Sequence, residues 1–170
     1  VKLPEAGDMH RLRAAQGWIE LGLPGEATLE LDQLTSEGKS HAMTLELRWA
    51  IEAAAEAWDR ALEQAERQVA TNPTLVSGWI HRAYSLRRVP GRGLEAALAA
   101  LLPAATLFPE ESMVAYNLAC YLVQLDRVEE GWRWYLEAQA RGDAPTVRKL
   151  ALADPDLQPI WPRISAEAGR

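Results

Sequence analysis

Cys120 and His81 are the two residues of this 170-residue chain whose types best suit nucleophilic catalysis, a thiol that an imidazole base would activate. Both fall on helices that occupy equivalent places in the pattern described below. The competing reading of Cys120 is a small residue at a tight helix crossing. It is the stronger one, because buried cysteines are ordinarily inert. Metal chemistry has less support. His10, His41 and His81 are far apart, and no histidine or cysteine pair has ligand spacing. Gly91-Arg92-Gly93 is the nearest approach to a phosphate loop, but it lacks the Lys-Ser/Thr such a loop requires and reads as a tight turn. Asp154 and Asp156 resemble an acid pair, yet their place on either side of Pro155 reads as the start of a helix. The sequence is therefore expected to be no enzyme, and no metal or cofactor is expected.

Recognition chemistry engages more residues. On a helical projection Ser77, Ile80, His81, Tyr84 and Arg88 share one face. Tyr116, Asn117, Cys120 and Gln124 share the corresponding face of another helix, with Met113 beside them. Leu12, Gln16 and Ile19, and Met43, Leu47, Ala50 and Ala54, extend the apolar part of such a surface. Aromatic, amide and apolar groups side by side suit an extended peptide, which offers backbone hydrogen bonds and side-chain anchors. Each of these residues has the alternative of packing between helices. Tyr84, Tyr116 and Asn117 are the set best suited to contact. Arg82, Arg87, Arg88 and Arg92 form a basic cluster that would either meet an acidic partner or lie solvated beside nearby Glu residues. Trp132 and Trp134 are neighbours on one helix and cannot both point inward, which makes Trp134 a candidate interface.

The elements that must position these residues repeat. Ala27, Ala61, Ala97 and Gly131 are small residues spaced by 34, 36 and 34, and Ala15, Trp49, Ala83 and Ala119 by 34, 34 and 36. A period near 34 fits two helices and their turns. The extra two residues fall between Ala83 and Ala97, where Pro90-Gly91-Arg92-Gly93 supplies a turn. Apolar positions within the segments follow the helical period, as in Val114, Leu118, Tyr121, Leu122 and Leu125. The spacing predicts four helix pairs: 8–22 with 24–36, 40–54 with 57–71, 75–88 with 93–107, and 111–124 with 128–141. Small residues at the repeated positions let paired helices approach. Pro103 predicts a kink or local widening near Ala99–Pro103, and Gly142 reads as a residue just past a helix end.

The net charge of −6 argues against general nucleic-acid binding, which needs basic surface. A single cysteine precludes an internal disulfide and fits a reducing compartment. The apolar stretch 96–107 is too short to span a bilayer and contains Pro103, so no membrane association is expected. The N-terminus has no signal-peptide core, and the default location is the cytoplasm. The chain starts without methionine, which leaves open an upstream segment.

Together these motifs resemble the tetratricopeptide repeat family, including bacterial members of unassigned role. The match is carried by Asn117-Leu118-Ala119-Cys120-Tyr121, Leu125, Glu129-Glu130-Gly131, Tyr135 and Ala138, and by Gly78-Trp79, Ala83-Tyr84, Ala97 and Pro109. It covers about residues 8–143. Trp49 departs from it, standing where a small residue belongs. The resemblance implies an all-α solenoid, a right-handed superhelix of about four antiparallel helix pairs in one domain, residues 1–170. Its repeats would be about 8–39, 42–73, 76–109 and 112–143, with a C-terminal cap at 144–164 in which Leu150, Leu152, Leu157, Ile160 and Trp161 cover the last pair. It also implies a scaffold that binds an unknown protein or peptide in its concave groove. The alternative is a self-associating structural module, a homo-oligomer.

Overall fold

The computed structural model describes residues 4–167, and among these every regular element is helical. The order is α1 (Ala6–Glu20), α2 (Pro24–Asp32), α3 (Ser36–Lys39), α4 (Ala42–Ala54), α5 (Trp58–Thr71), α6 (Val76–Leu86), α7 (Gly93–Leu107), α8 (Ser112–Gln124), α9 (Val128–Arg141), α10 (Ala144–Ala153), a 3-10 helix (Pro155–Ile160) and α11 (Trp161–Glu167). The chain divides into two compact units, Val1–Ser85 and Leu86–Arg170. The four pairs stand within about two residues of their expected bounds, except that α2 stops at Asp32. Thr35 ends it there by starting the short α3, its side chain accepting from the Gly38 N–H.

The same turn closes three of the pairs. Gly22, Glu56 and Asp126 all take positive φ (73°, 54° and 58°). The N–H after each reaches back five residues: Leu23 to the Trp18 carbonyl (2.8 Å), Ala57 to Glu52 (2.9 Å) and Arg127 to Leu122 (2.9 Å). This is the left-handed helix-ending motif that glycine suits best. Only the first pair uses glycine. An L-residue with a Cβ costs roughly 1 kcal/mol in that conformation. Glu56→Gly is therefore expected to raise the stability of the first unit by about 0.5–1 kcal/mol in urea denaturation.

In the first unit Leu12 and Ala15 of α1 meet Ala27 and Leu31 of α2, with Leu34 beyond, and all five are buried. Met43, Leu47 and Ile51 of α4 pack against this cluster. Leu12, Met43 and Leu47, placed by sequence on an open face, thus belong to the core and its margin. Asp8, also buried, holds the start of α3. Its carboxylate accepts from the Thr35 N–H (3.0 Å) and Thr35 Oγ1 (2.5 Å). A Cβ at Gly38 would collide with this carboxylate. The Thr35 hydroxyl and then the Thr35 N–H hold the Asp8 carboxyl below its ordinary range. A carboxyl lowered in the folded state stabilises fully above its unfolded pKa, and the contribution is lost as pH falls through the folded value. Between pH 7 and pH 3 the urea midpoint of the wild type is expected to fall further than that of Asp8→Asn. Equal falls would show that the clasp contributes nothing.

In the second unit α8 is buried almost all round, from Val114 through Val123 apart from Asn117, as an inner helix must be. The helices α7 and α9 and the 3-10 segment surround it. Gly131 of α9 touches it most closely, since a Cβ there would lie 2.6 Å from Val123 Cγ2 and 3.1 Å from the Ala119 carbonyl oxygen. Gly142 departs from the expected helix-ending conformation. It is extended (φ −121°, ψ −170°), and glycine is needed for space, because a Cβ would lie 2.6 Å from Ser112 Oγ. The helix α7 continues through Pro103. Ala99 and Pro103 are both exposed, so the carbonyl freed by the proline opens to water.

The cap is more elaborate than expected. Asp154 Oδ1 accepts from the Asp156 N–H (3.0 Å) and starts the 3-10 helix with Pro155 at its head. Leu157, Ile160 and Ile164 are fully buried, and Val147 and Ala151 face inward from α10. Leu150 and Leu152 do not cover the last pair. They remain 42% and 38% exposed, because the buried stripe of α10 runs through 147 and 151, one turn apart.

Candidate binding faces

Each unit carries part of the recognition surface expected from sequence, in a different state. In the first unit the residues converge on Trp49. Its indole stacks on the His81 imidazole with centroids 3.6 Å apart and planes 3° from parallel. Trp49 Nε1 donates to Ser85 Oγ (3.0 Å), and Ser85 Oγ donates to the His81 carbonyl (2.9 Å). Tyr84 meets Trp49 edge-on at 6.0 Å, and Trp58, at the start of α5, leans on Tyr84 at 5.9 Å. Trp49 stands at a small-residue position because its ring, stacked with His81, fills the space between α4 and α6. Burial pushes the His81 pKa down to about 4, so the imidazole is neutral at neutral pH. Its Nδ1 is buried and, among the described residues, has no partner. Trp49, Trp58, Ile80, His81 and Tyr84 are all half-buried, with part of each surface open to solvent.

In the second unit the corresponding face, that of α8, is filled by the chain itself. Tyr116 Oη donates to Asp154 Oδ2 (2.9 Å), and the Cys120 thiol donates to the same oxygen (3.6 Å). Gln124 Nε2 donates to the Asp156 carbonyl (2.9 Å). Arg87, just beyond α6, binds the Asp156 carboxylate with both terminal nitrogens, one at 2.7 Å to Oδ1. The Asp-Pro-Asp stretch is thus read by side chains from two places in the unit. Asn117 Nδ2 turns to its own helix and donates to the Met113 carbonyl (2.8 Å). Arg88 is half-buried.

Electrostatics in this cluster favours the protonated thiol and phenol. Burial, followed by the Asp154 charge, raises the Cys120 pKa well above the ordinary thiol value. Burial also raises that of Tyr116, with Cys120 and Asp154 adding to it. The hydrogen bond to Asp156 raises Arg87 and keeps it charged. Cys120, Asp154 and Asp156 are the described donors close enough to share an ion, within 4.8 Å of one another. The positive charge there is already supplied by Arg87. Sequence spacing gave no sign of this cluster, since 34 residues separate Cys120 from Asp154. In sequence the Asp-Pro-Asp motif signals only a helix start.

The remaining candidates are also engaged. Arg82 lies over the Trp79 ring at 4.8 Å, and with Arg87 on Asp156 the basic cluster is largely used internally. Trp132 and Trp134 are both half-buried, each beneath a guanidinium: Arg163 over Trp132 at 4.3 Å and Arg141 over Trp134 at 5.7 Å. Trp134 lines a shallow cavity of about 300 Å³ with Glu130, Arg133, Glu137 and Arg141.

No protein-family model and no curated protein matches the chain. Solved structures do. A thermophilic TPR protein of Thermus thermophilus aligns with a TM-score of 0.70 at 19% identity, over 83% of this chain and 77% of that one. A MamA RS-1 double mutant aligns with a TM-score of 0.67 at 17% identity, over 83% and 78% of the two chains. MamA MSR-1 C2 aligns with a TM-score of 0.62 at 16% identity, over 79% and 76%. At these identities the likeness speaks of architecture, and it agrees with the repeated helix pairs and their shared turn: the chain has the all-α helical-repeat fold of tetratricopeptide proteins.

Proposed function

We propose that the chain is a protein-interaction scaffold, acting as one binding domain over residues 1–170, and that the α4–α6 face of its first unit receives an extended segment of a partner. The observation that carries this reading is the contrast between the two faces. The α8 face holds an Asp-Pro-Asp stretch by carboxylate and main-chain contacts, which is the way such a face would hold a peptide. The face bearing Trp49, His81 and Tyr84 presents half-buried aromatic rings, the kind of group that dominates binding energy. A raised Cys120 pKa and a neutral, stacked His81 suit packing rather than catalysis. In the test, Tyr84→Ala keeps the wild-type far-ultraviolet circular dichroism and loses the partners that the wild type captures from a native lysate. Unchanged capture would place the site elsewhere.

Self-association is the second reading. It is favoured by the Trp134 cavity on α9, where an aromatic face lies among both signs of charge. Sedimentation equilibrium across a hundredfold concentration range tests it. A concentration-dependent mass that Trp134→Ala abolishes supports it, and a constant monomer mass removes it.

A further inference from the structure

Charge is unevenly divided along the chain. Residues 1–85 contain eight Lys and Arg against thirteen Asp and Glu, whereas residues 86–170 contain ten against eleven. The first unit therefore carries nearly all of the net negative charge. Several of its carboxylates are satisfied internally. Glu30 pairs with Arg11 at 3.0 Å, Asp32 with Arg48 at 2.8 Å and Glu52 with Arg60 at 2.7 Å, and Asp8 is held by Thr35. The helix α4 has two carboxylates, Glu46 and Glu52. Glu46, the one without a hydrogen-bond or ion-pair partner among the described residues, lies three residues before Trp49 and so one helical turn away on the same side.

We propose that the α4–α6 face selects a basic segment of a partner protein, with a lysine or arginine cation held by Glu46 and its aliphatic stem along Trp49. This rests on the reading of that face as a peptide-binding surface and adds its specificity. The complementarity is chemical at both ends. A long cationic side chain has an apolar stem for the indole and a charged head for the carboxylate. The surplus negative charge of the unit draws such a segment in and disfavours an acidic one. Glu46 is exposed and so open to a ligand cation, and the local desolvation that raises its pKa would be offset by that cation.

The test is selection of a phage-displayed random decapeptide library on the full chain, followed by calorimetric titration of the enriched peptides. Enriched peptides should share a lysine or arginine. Glu46→Gln should weaken them about tenfold and flatten the salt dependence of binding, with an unchanged melting temperature, because Glu46 has no internal partner to lose. Enriched peptides that lack a basic residue, or that bind Glu46→Gln as tightly as the wild type, overturn the specificity and leave the peptide-binding reading standing. A library that yields no binder overturns both.

Discussion

Gly131→Leu is expected to lower the stability of the second unit by about 3 kcal/mol, at the upper end of what overpacking a tight site costs. The reason is backbone proximity. A Cβ at this position would already lie 2.6 Å from Val123 Cγ2 and 3.1 Å from both the Ala119 carbonyl oxygen and the Val123 nitrogen. Val123 can shift its methyl, but the α8 backbone can retreat only by parting the α8–α9 pair. Even Gly131→Ala should destabilise, although alanine gains about 1 kcal/mol over glycine in helix propensity. Gly17, within α1, is the control. A Cβ there meets nothing within 4 Å, so Gly17→Ala should stabilise by up to about 1 kcal/mol. Urea denaturation followed by circular dichroism reads all three. Gly131→Leu melting like the wild type would mean that the helices are not packed as described.

The second large effect is expected at Arg87. Its guanidinium binds the Asp156 carboxylate with two nitrogens, and both side chains are less than a quarter exposed. Arg87→Met removes the cation and leaves Asp156, with Asp154 two residues away, beside the buried Cys120 and Tyr116. Removing one partner of a largely buried pair is costly because the other charge stays desolvated. Partial exposure moderates the loss to about 2–3 kcal/mol. Arg87→Met with Asp156→Asn should lose less than the sum of the single variants, the mark of a shared interaction. Additive losses would show that the arginine does not hold the cap.

How much of this was legible in the sequence follows from the range of each interaction. Helix pairs, their bounds and the insertion at Pro90–Gly93 were readable because periodicity, proline and glycine act within a turn or two. Gly131 was recognisable because it repeats a position occupied by Ala27, Ala61 and Ala97. The left-handed turn at Glu56 is hidden, since glutamate does not advertise that conformation, whereas Asp126 is of a type that visits it. Faces were harder still. Helical spacing groups Tyr116, Asn117, Cys120 and Gln124 on one side of α8, but what meets Tyr116, Cys120 and Gln124 comes from residues 154–156, and no local pattern connects the two. Trp49 looked like a departure from the repeat, and only the His81 ring opposite it explains its size. Leu150 and Leu152 were assigned inward on hydrophobicity alone, whereas the stripe through Val147 and Ala151 decides the orientation of α10.

The α4–α6 face is proposed to receive a partner, whereas the α8 face is already filled by residues 154–156 of the chain. Amide hydrogen exchange with and without a saturating selected decapeptide tests it most directly. New protection is expected only in residues 42–54 and 76–86, with residues 112–124 unchanged. New protection in 112–124 together with loss of protection in 154–160 would contradict it, because the peptide would then have displaced the Asp-Pro-Asp segment from α8.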